Sequence, residues 1–198
     1  NAAVLVGHGS VRASVMGGAK RAPSPAELEA MKRIVREGRD AGAVGFSSGL
    51  VYEPGKFADI DELAALAAEM ASGGGLYATH MRNEGTKLLD SVREAIEIGR
   101  RAGVPVQISH HKAAGREAWG LVRESLRLIE AAQAEGLDVH ADQYPYTAGS
   151  TILAAIVQNG AFESGPNALG SIAPEDVVIA SAAKRPDFEG RSIAALAQ

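Results

Sequence analysis

A short apolar run behind a glycine recurs along this chain at intervals of about thirty residues. Ala43–Ser48 follows Gly42, Leu76–His80 follows Gly73-Gly74-Gly75, Val104–Ser109 follows Gly103, and Leu137–Asp142 follows Gly136. A glycine in that place suits the left-handed residue that ends a helix. The run behind it then reads as a short buried strand of the kind parallel sheets use. An earlier run at Ala3–Val6 starts the series.

The intervening segments carry helical periodicity. Pro25–Arg39 opens with Ser24 as N-cap, Pro25 at the first helical position and Glu27 three residues after the cap, a capping-box pattern. Asp59–Ala71 places Ile60, Leu63, Leu66, Ala67 and Met70 on one face, and Thr86–Ala102 does the same with Leu88, Leu89, Val92, Ile96 and Ile98. Arg116–Glu135 repeats the pattern with Leu121, Leu126, Leu128 and Ile129. Strands alternating with helical crossovers predict an α/β fold with a parallel sheet, either doubly wound or a (β/α) barrel. Beyond this, Gln158–Pro174 reads as a loop, Val177–Ala180 as another apolar run and Ser192–Gln198 as the start of a helix. No linker divides the chain, so residues 1–198 read as part of one domain.

Composition narrows the function classes. A hydrophobic share of 46% with 22% charged residues is that of a globular protein. The net charge of −4, with no long Lys/Arg cluster, argues against nucleic acid as a partner. The absence of cysteine excludes a disulfide scaffold, a Cys-ligated zinc site within these residues and a cysteine nucleophile. No apolar run approaches the roughly 20 residues of a membrane span, and no leader is apparent, so a cytoplasmic location is expected. No G-x-G-x-x-G follows a strand, and there is no Walker lysine loop or G-x-S-x-G elbow, which removes support for nucleotide enzymes and serine hydrolases.

In parallel α/β folds chemistry gathers at the carboxyl ends of strands. Two histidines, His80 and His110, are one repeat apart and each is expected at the end of its strand. Neighbouring strands lie about 4.8 Å apart, so the two imidazoles can converge on one divalent ion, or each can make ordinary hydrogen bonds. Lys112 and Tyr144 suit capture of a carboxylate, or else form a rim lysine and a packed tyrosine. Tyr52 rides on a loop at the same face. Asp142 reads as a ligand, a base or a cap on local backbone amides; His8 reads as structural, His140 as a buried hydrogen-bonded imidazole, and His111 stays open.

The stretches from Gly45 to Gly55, Tyr77 to Arg82, Gln107 to Lys112 and Asp142 to Tyr146 resemble, in order, the N-acyl-D-amino-acid deacylases (D-aminoacylases). These are metal-dependent (β/α)8 barrels of the amidohydrolase superfamily. Gly7-His8-Gly9 with Arg12, and Ile179–Ser181 with Glu189–Arg191, are similar to further stretches of that family. The resemblance implies a partial barrel covering about strands three to seven. It also implies His80 and His110 as ligands of catalytic Zn2+ (one or two ions in the intact enzyme), Lys112 and Tyr144 on the substrate's α-carboxylate, and Tyr52 in the substrate pocket. The family's strand-one His-x-His, strand-two cysteine and strand-eight catalytic aspartate have no counterpart here, so the base is expected downstream and no catalytic residue within these 198. The implied activity is hydrolysis of the linear amide of a small-molecule N-acyl-D-amino acid, by a larger enzyme of which this is the central arc and which is inactive as this piece alone. Another amidohydrolase branch acting on cyclic amides and a non-catalytic α/β binding module are the alternatives. From Tyr144 to Ala183 there is no Lys or Arg, an expectation of neutral or apolar side chains in the substrate.

Overall fold

Each helix–glycine–strand junction expected from the repeat forms, and the chain winds into one parallel sheet. The computed structural model describes residues 1–153, 156–158, 161–162 and 172–197. Its first strands and helices run β1 (Leu5–Gly7), α1 (His8–Met16), α2 (Pro25–Asp40), β2 (Gly45–Gly49), α3 (Ile60–Ala67) and β3 (Leu76–His80). They continue as α4 (Leu88–Ala102), β4 (Val106–Ile108), α5 (Leu121–Ala134) and β5 (Val139–Ala141). The five strands are all parallel and lie in sequence order. This is a partial (β/α) barrel: an arc of units each returning to the next strand through a helix.

Local chemistry sets the boundaries. The Ser24 hydroxyl accepts from the Glu27 amide at 3.3 Å and the Glu27 carboxylate accepts from the Ser24 amide at 2.7 Å, so both sides of the capping box form. Gly103 closes α4 at φ 67°, a conformation that costs a residue with a side chain about 1 kcal/mol or more, and its amide donates to the Gly99 carbonyl at 2.9 Å. Helix α3 tightens after Ala67 into a 3-10 segment, Ala68–Gly73, which still buries Met70.

Two faces follow from the alternation of side chains along a strand. Phe46, Tyr77, Val106 and Val139 are neighbours across the sheet and pack against the helices with Leu63, Leu66, Met70, Leu88, Val92, Ile98 and Ile129. Ser47, Ala78, Gln107 and His140 form the opposite row. The barrel interior is this second face, and His80 lies on it two residues beyond Ala78.

Several expectations are corrected. Helix α1 is absent from the sequence reading because the residues it buries include His8 and Arg12, the reverse of an apolar stripe. Arg116–Glu135 is a 3-10 turn at Arg116–Ala118 followed by α5, and α5 buries Ser125, Ile129 and Ala132 while Leu126 is exposed. Val177–Ala180 makes only an isolated bridge, Val178 with Ser192, and the last helix, α6, is Ile193–Leu196. Most of the Gln158–Pro174 loop lies outside the described residues; at its start Val157–Gln158 (β6) pairs antiparallel with Ala161–Phe162 (β7). No helix among the described residues is long and apolar enough to cross a membrane.

Candidate metal centre

His80 closes β3, while His110 lies two residues past the end of β4, in a turn. The matched strand-end placement expected of the pair therefore holds for His80 and is corrected for His110. The turn bends His110 into the left-handed region at φ 41°, costly for a residue with a side chain. Hydrogen bonds to Asp142 hold it there: the carboxylate accepts from the His110 amide at 2.7 Å, and the Asp142 carbonyl accepts from the His111 amide at 2.7 Å. Gln107 also donates to the Asp142 carboxylate, at 2.7 Å. Asp142 thus caps backbone, one of the readings its position allowed.

That turn swings the His110 ring onto His80. Their ring centroids are 4.6 Å apart, and His80 Nδ1 is 2.9 Å from His110 Nε2. Glu84 joins them, and the three side chains form a cluster able to hold a metal ion. The Asn83 side chain shapes the loop that brings Glu84 in, accepting from the amides of Gly85 at 2.9 Å and Lys87 at 3.1 Å. The Glu84 carboxylate is buried and receives Lys112 Nζ at 2.6 Å and His110 Nδ1 at 2.9 Å. Sequence reasoning missed it; a carboxylate four residues past a strand-end histidine was the available signal.

The donor set fits a borderline divalent ion. Two nitrogens bound tetrahedrally at about 2.0–2.1 Å lie roughly 3.3 Å apart, close to the observed imidazole spacing. Burial pushes the His80 imidazole down to about 4, with His110 and Lys112 adding to the effect against Glu84, so at neutral pH the ring is uncharged and one nitrogen carries a lone pair. Its Nε2 is buried without a hydrogen-bond partner among the described residues, while Nδ1 is the edge turned toward His110. Burial alone would raise the Glu84 carboxyl, but hydrogen bonds from His110 and Lys112 outweigh it and hold the group below its usual range.

The other expected residues gather on the same side. The Tyr52 ring lies 5.2 Å from His80, and its hydroxyl pairs with Thr151 at 3.0 Å. Tyr144 lies 6.5 Å from the His110 ring, with Lys112 Nζ 5.5 Å from its centroid. The remaining histidines stand apart. His8 is buried between helices against Glu62 at 2.9 Å, and His111 is buried against Ser125 at 2.8 Å. His140, expected to be buried, is exposed and pairs with Asp138 at 2.8 Å.

No family model matches the chain. Among curated proteins it is similar to a D-aminoacylase of Alcaligenes xylosoxydans xylosoxydans, 45% identical over 77% of this chain and 31% of the relative. It is similar also to an N-acyl-D-glutamate deacylase of that organism, 38% identical over 100% of this chain and 38% of the relative. Among solved structures, a D-aminoacylase described as defining a novel subset of amidohydrolases superposes with a TM-score of 0.82 at 36% identity, over 97% of this chain and 38% of that one. The N-acyl-D-glutamate deacylase of Bordetella bronchiseptica, solved with zinc and a phosphonate inhibitor, gives 0.83 at 35% identity over 98% of this chain and 38% of that one. The chain thus spans roughly a third of the length of the relatives it matches. Over that stretch the chain is similar in sequence and fold to the D-aminoacylases of the amidohydrolase group.

Proposed function

We propose that this chain supplies two metal-binding imidazoles, His80 and His110, and the substrate-carboxylate site of a zinc-dependent hydrolase that cleaves the linear amide of N-acyl-D-amino acids. The carrying observation is the convergence of His80 Nδ1 and His110 Nε2 at 2.9 Å on the interior face of the arc, with Lys112 and Tyr144 beside them. The names of the relatives, all deacylases of N-acyl-D-amino acids or D-aminoacylases, support the substrate class, and zinc in one of them supports the ion. A second structure of a D-aminoacylase, described as having a binuclear metal centre, leaves one or two ions as the expected count.

The chemistry such an ion supplies when bound is acidification of water and polarisation of the scissile carbonyl. The chain's own residues do the positioning. His80, kept neutral by burial, presents a ring nitrogen from the end of β3, and His110, held by Asp142, presents one from the turn after β4. The Lys112 ammonium and the Tyr144 hydroxyl take the α-carboxylate through charge-assisted hydrogen bonds, which fixes the chiral centre relative to the reacting carbonyl. Tyr52, against the His80 ring, forms the neighbouring wall. Asp142 is committed to the His110 amide and Gln107, so the aspartate that takes the water's proton is assigned to a residue outside these 198, and the piece alone is expected to be inactive.

The test is zinc content and deacylase activity of the full protein with His80→Ala and His110→Ala. Each substitution should reduce bound zinc and abolish hydrolysis of N-acetyl-D-methionine. Folded variants that keep the parent's zinc stoichiometry and affinity would refute the assignment; a parent that takes up no zinc would be the non-catalytic binding module.

A further inference from the structure

His110 is held by both edges of its ring. Nε2 faces His80 at 2.9 Å, and Nδ1 faces Glu84 Oε1 at 2.9 Å. The same oxygen receives Lys112 Nζ at 2.6 Å, and Lys112 Nζ stands 3.0 Å from His110 Nδ1. An ammonium has protons to donate and no lone pair, and a carboxylate accepts. His110 Nδ1 can either accept from Lys112 or donate to Glu84; the second choice leaves the lone pair on Nε2, the edge that faces His80. Glu84 is 3% exposed, where an unpartnered charge would be costly, so its carboxylate draws on both of these partners.

We propose that Glu84 is a positioning residue: it fixes His110 as the Nδ1–H tautomer, turning the Nε2 lone pair toward the metal beside His80, and anchors the Lys112 ammonium at the site. The inference rests on the functional reading above. Although the donor atoms of His80, Glu84 and His110 lie within 4.8 Å of one another, the ring edges favour positioning over ligation: Glu84 Oε1 meets the Nδ1 edge of His110, whereas His80 faces the Nε2 edge. Carboxylate partners of this kind orient ligating histidines and raise their basicity, and losing one typically weakens metal affinity 10–100-fold. One side chain would thereby set both the metal ligand and the cation that receives the substrate's carboxylate.

The test uses the full protein and Glu84→Gln, which keeps the shape and removes the charge. Zinc affinity by chelator competition should fall about 10–100-fold. With zinc at saturation, KM for N-acetyl-D-methionine should rise, because Lys112 loses its anchor. Nitrogen NMR of the zinc-loaded parent should show His110 protonated at Nδ1, and this measurement decides the matter even if the Gln variant does not fold. Protonation at Nε2 would overturn the proposal, as would Glu84→Gln keeping the parent's zinc affinity. If His110→Ala loses zinc and Glu84→Gln does not, the positioning role fails while the metal site stands. If His80→Ala and His110→Ala both retain zinc, the functional reading itself fails.

Discussion

Replacing Glu62 by glutamine removes a charge from a buried triad that ties α1 to α3. The Glu62 side chain is 1% exposed; it pairs with His8 Nε2 at 2.9 Å and accepts from Arg12, whose side chain is fully buried. Arg12 also donates to the Arg21 carbonyl at 2.6 Å, so its guanidinium is not stranded entirely when the carboxylate goes. Breaking one partner out of a buried pair costs about 3–5 kcal/mol, and a retained amide acceptor puts Glu62→Gln near the lower end, about 3 kcal/mol. Against a total stability of about 5–15 kcal/mol this is large, and it corresponds to a fall of roughly 6–12 °C in Tm. The pH dependence gives a second signature. Burial pushes the Glu62 carboxyl up, but hydrogen bonds from His8 and Arg12 outweigh it and leave the group below its usual range. A carboxylate lowered by folding contributes stability that is fully present above its unfolded pKa, about 4.3, and is lost as the pH falls through the folded value. Urea unfolding of parent and variant should therefore show a constant gap from pH 7 to about pH 5 that shrinks in stronger acid. Adding Arg12→Met should cost less than the sum of the single changes, since the two side chains share one interaction. A gap below about 1 kcal/mol at pH 7, or one that persists unchanged into acid, would refute the reasoning.

Gly99 in α4 offers a contest between propensity and packing: alanine gains about 1 kcal/mol in a helix, but its Cβ would lie 2.1 Å from Val106 Cγ2. Overpacking of about 1–3 kcal/mol or more should win, so Gly99→Ala lowers the urea midpoint and Val106→Ala in the same chain restores part of it. For substrate choice, Lys112 is assigned to the α-carboxylate and Arg82 is bound to Glu94 at 2.8 Å, so neither is left for an acidic side chain. The full protein should have a higher kcat/KM for N-acetyl-D-methionine than for N-acetyl-D-glutamate, and the reverse order would overturn this preference.

How much of the fold was legible depended on whether its cause was local. Junctions at Gly42, Gly103 and Gly136 announce themselves because a left-handed helix end selects glycine within a few residues of the strand it precedes. Ser24 with Glu27 works the same way. Helix α1 escaped because it buries Arg12 and His8, and only the distant Glu62 makes that burial tolerable. Leu126 fits a one-dimensional pattern and yet faces solvent, since the face α5 buries is chosen by what packs on it. His140 sits in a strand yet is exposed, since strand position alone does not show what packs against it.

By itself, then, the sequence determined the repeating parallel α/β unit and nominated His80, His110, Lys112, Tyr144 and Tyr52, because periodicity and residue chemistry are written within short windows. The tertiary structure decided that these side chains meet. Parallel register puts His80 on the interior face, the Asp142 carboxylate holds His110 in a left-handed turn that carries its ring across to His80, and Glu84 arrives from a loop to receive both His110 and Lys112. Those contacts join residues about thirty apart, and a choice of ring edge made by a neighbouring strand leaves no trace in the residues beside it.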